Sequence, residues 1–123
     1  MHAYDTSQIT DDFMERERAR TREYSLVILT TTPLTFTEAE RPVIWEHGRR
    51  NFALRADGAL SIVCPVTDGG DIAGIGIFTT PPDETRAIME ADPAVLAGAL
   101  DFRVAPVRGF PGDCLPGEPR SVG

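Results

Sequence analysis

Lysine is absent from this 123-residue chain. All twelve basic residues are arginine, set against nineteen acidic ones for a net charge of -7. The absence excludes a lysine Schiff base, and we read arginine-only usage as coding bias rather than chemistry. An acidic surface without a basic stripe of interleaved aromatics excludes nucleic acid as a partner. Cysteine is scarce: Cys64 sits in an apolar run and Cys114 in a Gly/Pro-rich tail, which is no disulfide framework, so both are read as free thiols. The two histidines, two cysteines and scattered acids lack the ligand spacing of a zinc site. Gly74-Ile75-Gly76 has neither the third glycine nor the following helix of a dinucleotide loop, which leaves close packing within a strand. There is no nucleophile-elbow serine. No apolar stretch approaches membrane-spanning length, and the polar, acidic start is unlike a signal peptide, so a cytoplasmic protein without a membrane partner is expected.

What remains is room for one domain and one core. Residues 1–22 form a charged extension in which Thr10 is placed to cap a short helix ahead of Asp11 and Asp12; the segment is solvated or packs as an arm on a partner subunit. The β-branched and aromatic run Tyr24 to Thr31, ending at Pro33, reads as a buried strand. A helix follows from Thr37 or Glu38 to Asp57-Gly58, where glycine stops it. Leu60 to Cys64, closed by Pro65, and Ile72 to Thr79 read as a hairpin across Thr67-Asp68-Gly69-Gly70-Asp71. A second helix starts from Thr80-Pro81-Pro82-Asp83, with Thr80 as its cap, and runs to about Ala91. Asp92-Pro93 then begins a short turn of helix ending at Gly98, and Phe102 to Val107 is the last strand. Residues 109–123, with three prolines and four glycines, form an extended or disordered tail.

The order β-α-β-β-α-β is the split arrangement of an α+β, ferredoxin-like fold, with both helices on one face of a four-stranded antiparallel sheet. The other face is then bare. The strands nonetheless carry apolar residues on both sides, as Leu26 and Ile28 alternate with Val27 and Leu29. An exposed apolar sheet face marks an interface, and a homodimer packed sheet on sheet buries it.

On a helical wheel the first long helix turns Glu46, Arg49 and Arg50 to water. Val43, Ile44, Trp45, Gly48, Phe52 and Leu54 spread over the opposite arc, with His47 and Asn51 inside it and Trp45, near its edge, read as packing rather than binding. A histidine on a buried face needs a partner. It is either a core histidine bonded to a backbone carbonyl or an acid-base imidazole. Asp92, immediately before Pro93, is an N-cap by local chemistry. Lying four residues after Ile88, it is also turned toward the core, so a cap facing a pocket is the second reading.

These residues resemble the YCII-related domains of the dimeric α/β-barrel superfamily, from about Tyr24 to Arg108. The likeness is carried by His47 eleven residues ahead of Gly58, by Pro65 closing the second strand, and by Glu90-Ala91-Asp92-Pro93 with Val95, Ala97 and Gly98. Two positions depart from the pattern. Cys64 stands where glycine often precedes the strand-ending proline, and Ile44 where an arginine commonly precedes the histidine, with Arg41 one turn earlier. The resemblance implies a domain over 23–108, a dimeric α/β barrel, and a dyad of His47 and Asp92 in a pocket between helices and sheet. It further implies elimination or rearrangement of a small cyclic substrate. We therefore expect a small acid-base enzyme of lyase or isomerase type that needs no cofactor, acting on a small cyclic or phenolic molecule, with Asn51 and Ser61 as polar liners. The rival is a non-catalytic ligand-binding or assembly module that keeps the dyad as a structural hydrogen bond. An enzyme leaves one His47 nitrogen open to a cavity, whereas the rival satisfies both nitrogens with protein partners.

Overall fold

A computed structural model describes residues 4–120; the outermost parts of the extension and the tail, residues 1–3 and 121–123, lie outside the described residues. The chain forms two compact units, one of Glu23–Val107 and one of the segments that flank it.

In the flanking unit, α1 (Asp11–Ala19) is capped by Thr10, whose hydroxyl accepts from the Phe13 N–H at 3.1 Å. It buries no residue, and its Arg18–Glu15 and Arg20–Glu17 pairs are one helical turn apart. The Arg20 guanidinium lies 5.3 Å from the centroid of the Phe110 ring and donates to the Pro111 carbonyl, giving the tail a fixed contact.

The larger unit is α+β. Its strands are β1 (Arg22–Thr31), β2 (Leu60–Pro65), β3 (Ile72–Phe78) and β4 (Leu100–Gly109), in the sheet order β2-β3-β1-β4. The sheet is antiparallel and ferredoxin-like. The helices are α2 (Arg41–Ala56), α3 (Pro82–Glu90) and α4 (Pro93–Leu96).

Several boundaries differ from the sequence reading, each for a local reason. Glu38–Glu40 is a separate 3-10 turn, and α2 begins only at Arg41, with Pro42 in its first turn. Starting the helix earlier would carry Pro42 into positions where its missing N–H and its ring oppose the helix. Pro81, not Thr80, is the cap of α3. Thr80 is instead tied to Thr85, their hydroxyls 2.6 Å apart, while Ser25 donates to the Thr80 carbonyl at 2.8 Å. This network anchors the start of α3 to β1.

Alternation in β1 buries Ser25, Val27 and Leu29 on the helix side and leaves Leu26 and Ile28 on the other. Cross-strand pairing puts Ile77 beside Leu26 and Ile75 beside Ile28, and then Ile62 and Cys64 beside Ile77 and Ile75. A shift in pairing between Leu60 and Ile62 places Ser61 at a bulge. Because of it, Leu60 and Val63 both pack on the core although their spacing is odd. The core gathers Val27, Leu29, Leu60, Phe78, Met89, Ala94, Ala99 and Leu100, in which each large apolar side chain contributes about 1.5–3 kcal/mol by leaving water. On the helix side of β3, Gly76 leaves room for its neighbours. A Cβ there would come within 3.1 Å of the Leu60 side chain and 3.4 Å of the Phe78 ring.

The orientation of α2 differs from the one the wheel predicts. Trp45 and Phe52 are 71% and 73% exposed, on the outer side of the helix with Arg49. Apolar side chains surround this helix, so spacing alone does not fix which arc faces the sheet. Arg50 is correspondingly not a water-facing residue, as its contacts below show.

Candidate active site

His47 projects from the inner side of α2, and Asp92 closes the gap between α3 and α4. The loops that bring them together are pinned: Thr32 donates to the Gly98 carbonyl and Thr35 to the Ala99 carbonyl, each at 2.7 Å. These bonds hold the β1–α2 connection against the chain that follows α4.

Asp92 is 1% exposed and does two jobs at once. As N-cap of α4, with Pro93 at the first helical position, its Oδ2 accepts from the N–H groups of Ala94 at 3.0 Å and Val95 at 3.3 Å. The same carboxylate receives His47 Nδ1, which is 2.9 Å from Oδ1 and 3.0 Å from Oδ2. An ionised carboxylate only accepts, so Nδ1 carries the hydrogen and Nε2 of the neutral ring presents a lone pair. Burial is the strongest influence on the Asp92 carboxyl and pushes its pKa up. The hydrogen bond from His47, the charge of the imidazolium, and the N–H groups of Val95 and Ala94 together outweigh it, so the carboxyl lies below its ordinary value of 3.8.

Two neighbours complete the arrangement. Asn51, one turn along α2, places Nδ2 3.4 Å from His47 Nε2, a long contact in which the amide donates to the ring. Asn51 also borders a void of about 10 Å³ walled by Val27, Leu29, Leu60, Val63 and Met89. Arg50, with its side chain 27% exposed, donates from Nη1 to the Ile88 carbonyl at 2.7 Å and sits 3.7 Å from Asp92 Oδ1. That is ion-pair distance, too long for a hydrogen bond. The sequence reading missed Arg50 because it placed the residue in water; its spacing of three from His47 was the available signal.

Of the four expected site residues, His47, Asp92 and Asn51 are together. Ser61 is exposed at the β2 bulge, and among the described residues no hydrogen bond joins it to the other three. Larger grooves lie on the outer side of α2, one of about 420 Å³ bordered by Phe36, Arg41, Ile44 and Trp45 and another of about 320 Å³ bordered by Trp45, Arg49 and Phe52. Neither contains an acid-base pair. No group of three His, Cys, Asp or Glu residues is placed to hold a metal among the described residues, and no described helix is long and apolar enough to cross a membrane.

No family model matches the chain, and no curated protein sequence does. Among solved structures it is similar to the 5-chloro-2-hydroxyhydroquinone dehydrochlorinase TftG from Burkholderia phenoliruptrix AC1100, in complex with 2,5-dihydroxybenzoquinone. The match has a TM-score of 0.54 and 20% sequence identity over 67% of this chain and 90% of the other. At that identity the likeness establishes the fold.

Proposed function

We propose that the protein is a cofactor-independent enzyme of lyase or isomerase type in which His47 moves a proton and Asp92 holds it in place. The observation that carries this reading is the buried contact of His47 Nδ1 with both Asp92 oxygens, because it fixes the ring and leaves the Nε2 lone pair as the proton acceptor. In an elimination, Nε2 takes a proton from the substrate and the electron pair released becomes a new π bond. The leaving group departs with its own pair, so HX is lost and no oxidant is needed. The substrate class is a small cyclic or phenolic molecule, supported by the reaction named for the structural neighbour.

On this reading residues 23–108 are a YCII-related domain, 1–22 an extension and 109–123 a tail. Asn51 is a polar group at the substrate side of the ring, which an incoming hydroxyl displaces from Nε2. Ser61, at the strand bulge, is proposed only as a more distant liner. A screen of small phenols and hydroquinones by thermal shift, followed by proton-release assays on the binders, tests the reading. It predicts at least one compound turned over by the native protein and not by His47→Ala, and equal rates in the two proteins would end it.

One observation favours the non-catalytic alternative. Both nitrogens of His47 have protein partners, since Asn51 reaches Nε2. If that contact is permanent, Asn51→Ala will destabilise the fold and improve no reaction; if substrate displaces it, the variant keeps turnover.

We further propose a homodimer that covers the open sheet face of Leu26, Ile28, Ile62, Ile75 and Ile77. Light scattering at low micromolar concentration is expected to give twice the chain mass of 13.4 kDa. Replacing Ile28 and Ile75, which pair across β1 and β3, by glutamate is expected to give monomers. A native monomer that bound no hydrophobic dye would refute the packing.

A further inference from the structure

Asp92 has two cationic neighbours, and only one of them is permanent. The imidazole is charged in one half of a proton-transfer cycle and neutral in the other. When it is neutral, the buried carboxylate retains the N–H groups of His47 Nδ1, Ala94 and Val95, and the full positive charge within 4 Å is that of Arg50, 3.7 Å from Oδ1. We propose that Arg50 is a positioning residue of the dyad: it supplies the standing counter-charge that keeps Asp92 ionised while His47 is neutral. The proposal rests on the reading of His47 and Asp92 as a proton-transfer pair.

An ionised carboxylate that loses its only cation in a buried site is costly, and the pair avoids that state by holding the proton on His47 Nε2 more tightly. A permanent guanidinium removes the incentive, so the ring is released as a free base. Arg50 is itself held, because its bond to the Ile88 carbonyl at 2.7 Å fixes it to the last turn of α3, four residues before Asp92. The guanidinium therefore keeps station on the carboxylate rather than sampling solvent.

Other charged groups do not supply this role. On α2, Glu46 and Arg49 pair with each other at 3.0 Å, and on the 3-10 turn Glu38 pairs with Arg41 while Glu40 makes no ion pair to the dyad. On α3, Asp83 pairs with Arg86 and Glu90 is exposed. From β2 the titratable residue is Cys64, beside Ile75 in the sheet, and the helix-facing residues of β1, Ser25, Val27 and Leu29, do not ionise at ordinary pH.

The test compares Arg50→Gln with Arg50→Lys. Both keep a polar donor at position 50, and only lysine retains the charge. The His47 ring is followed by nitrogen and proton NMR across pH, its signals identified by their loss in His47→Gln. Arg50→Gln is expected to raise the midpoint of the ring titration by about one unit, the low end of what a neighbouring full charge does. Arg50→Lys is expected to stay near the native midpoint. Equal midpoints in the two folded variants would overturn the proposal; if Arg50→Gln does not fold, Arg50→Met against Arg50→Lys decides it on the same criterion. The measurement needs no substrate, so it separates from the enzyme reading. Full turnover by His47→Ala would remove the catalytic role and leave the titration result standing, whereas an unmoved midpoint removes Arg50 and leaves the dyad.

Discussion

Asp92→Asn is expected to lose about a hundredfold or more of turnover, the usual loss when an acid-base group is no longer supported, while keeping the native fold. Asparagine caps a helix about as well as aspartate, so the bonds to Ala94 and Val95 survive the change. What disappears is the anion that steadies the imidazolium. His47→Ala is expected to lose at least as much. The assay is proton or chloride release from the phenolic compounds selected by thermal shift, with circular dichroism to confirm folding. A reading in which Asp92 only caps α4 gives the opposite outcome, an Asp92→Asn variant at full rate.

Asp92→Ala carries the largest expected effect on stability. It removes the cap, worth about 1 kcal/mol, and leaves the buried imidazole without its partner, a loss on the order of 3 kcal/mol or more for a broken buried pair. Urea unfolding at neutral pH measures it, with Asp92→Asn expected to fall between this variant and the native protein. The pH dependence has a definite sign. Because the folded carboxyl lies below its ordinary value of 3.8, its stabilisation is complete above that value and is lost as the pH falls through the lower, folded value. The stability gap between native protein and Asp92→Asn should therefore be full at neutral pH and close in acid below 3.8. A gap independent of pH would mean that the carboxylate is not what stabilises the site.

The fold was legible because its signals were independent of one another. β-branched runs, the turn at Gly69-Gly70, the stop at Gly58 and the Asp-Pro restart each marked an element, and their order left one arrangement. Asp92 was legible as a cap and as a residue turned toward the core, and the geometry allows both because a carboxylate has two oxygens and several lone pairs. The orientation of α2 was not legible in the same way. With Trp45, Phe52, Val43 and Ile44 spread round the helix, burial is decided by which arc meets β2 and α4, a tertiary fact that no periodicity carries. Arg50 was lost with it. The face assigned to Glu46, Arg49 and Arg50 is divided in the fold: Glu46 and Arg49 remain on the surface, whereas Arg50 turns inward to a backbone carbonyl. The bulge at Ser61 was equally silent, since one extra residue changes the facing of a strand without changing its composition.

The shared carboxylate of Asp92 links aim to architecture. Oδ2 holds the first turn of α4 and the imidazole together, so the ring takes its bearing from a helix of only four residues. The turn that follows it passes through Gly98, whose φ of +74° is a backbone state that side chains resist. An alanine there would touch neither His47 nor any substrate. It would still strain the turn behind α4, on which the Asp92–His47 contact rests. On the proposed reading, a position far from the imidazole matters where it belongs to the mount of Asp92.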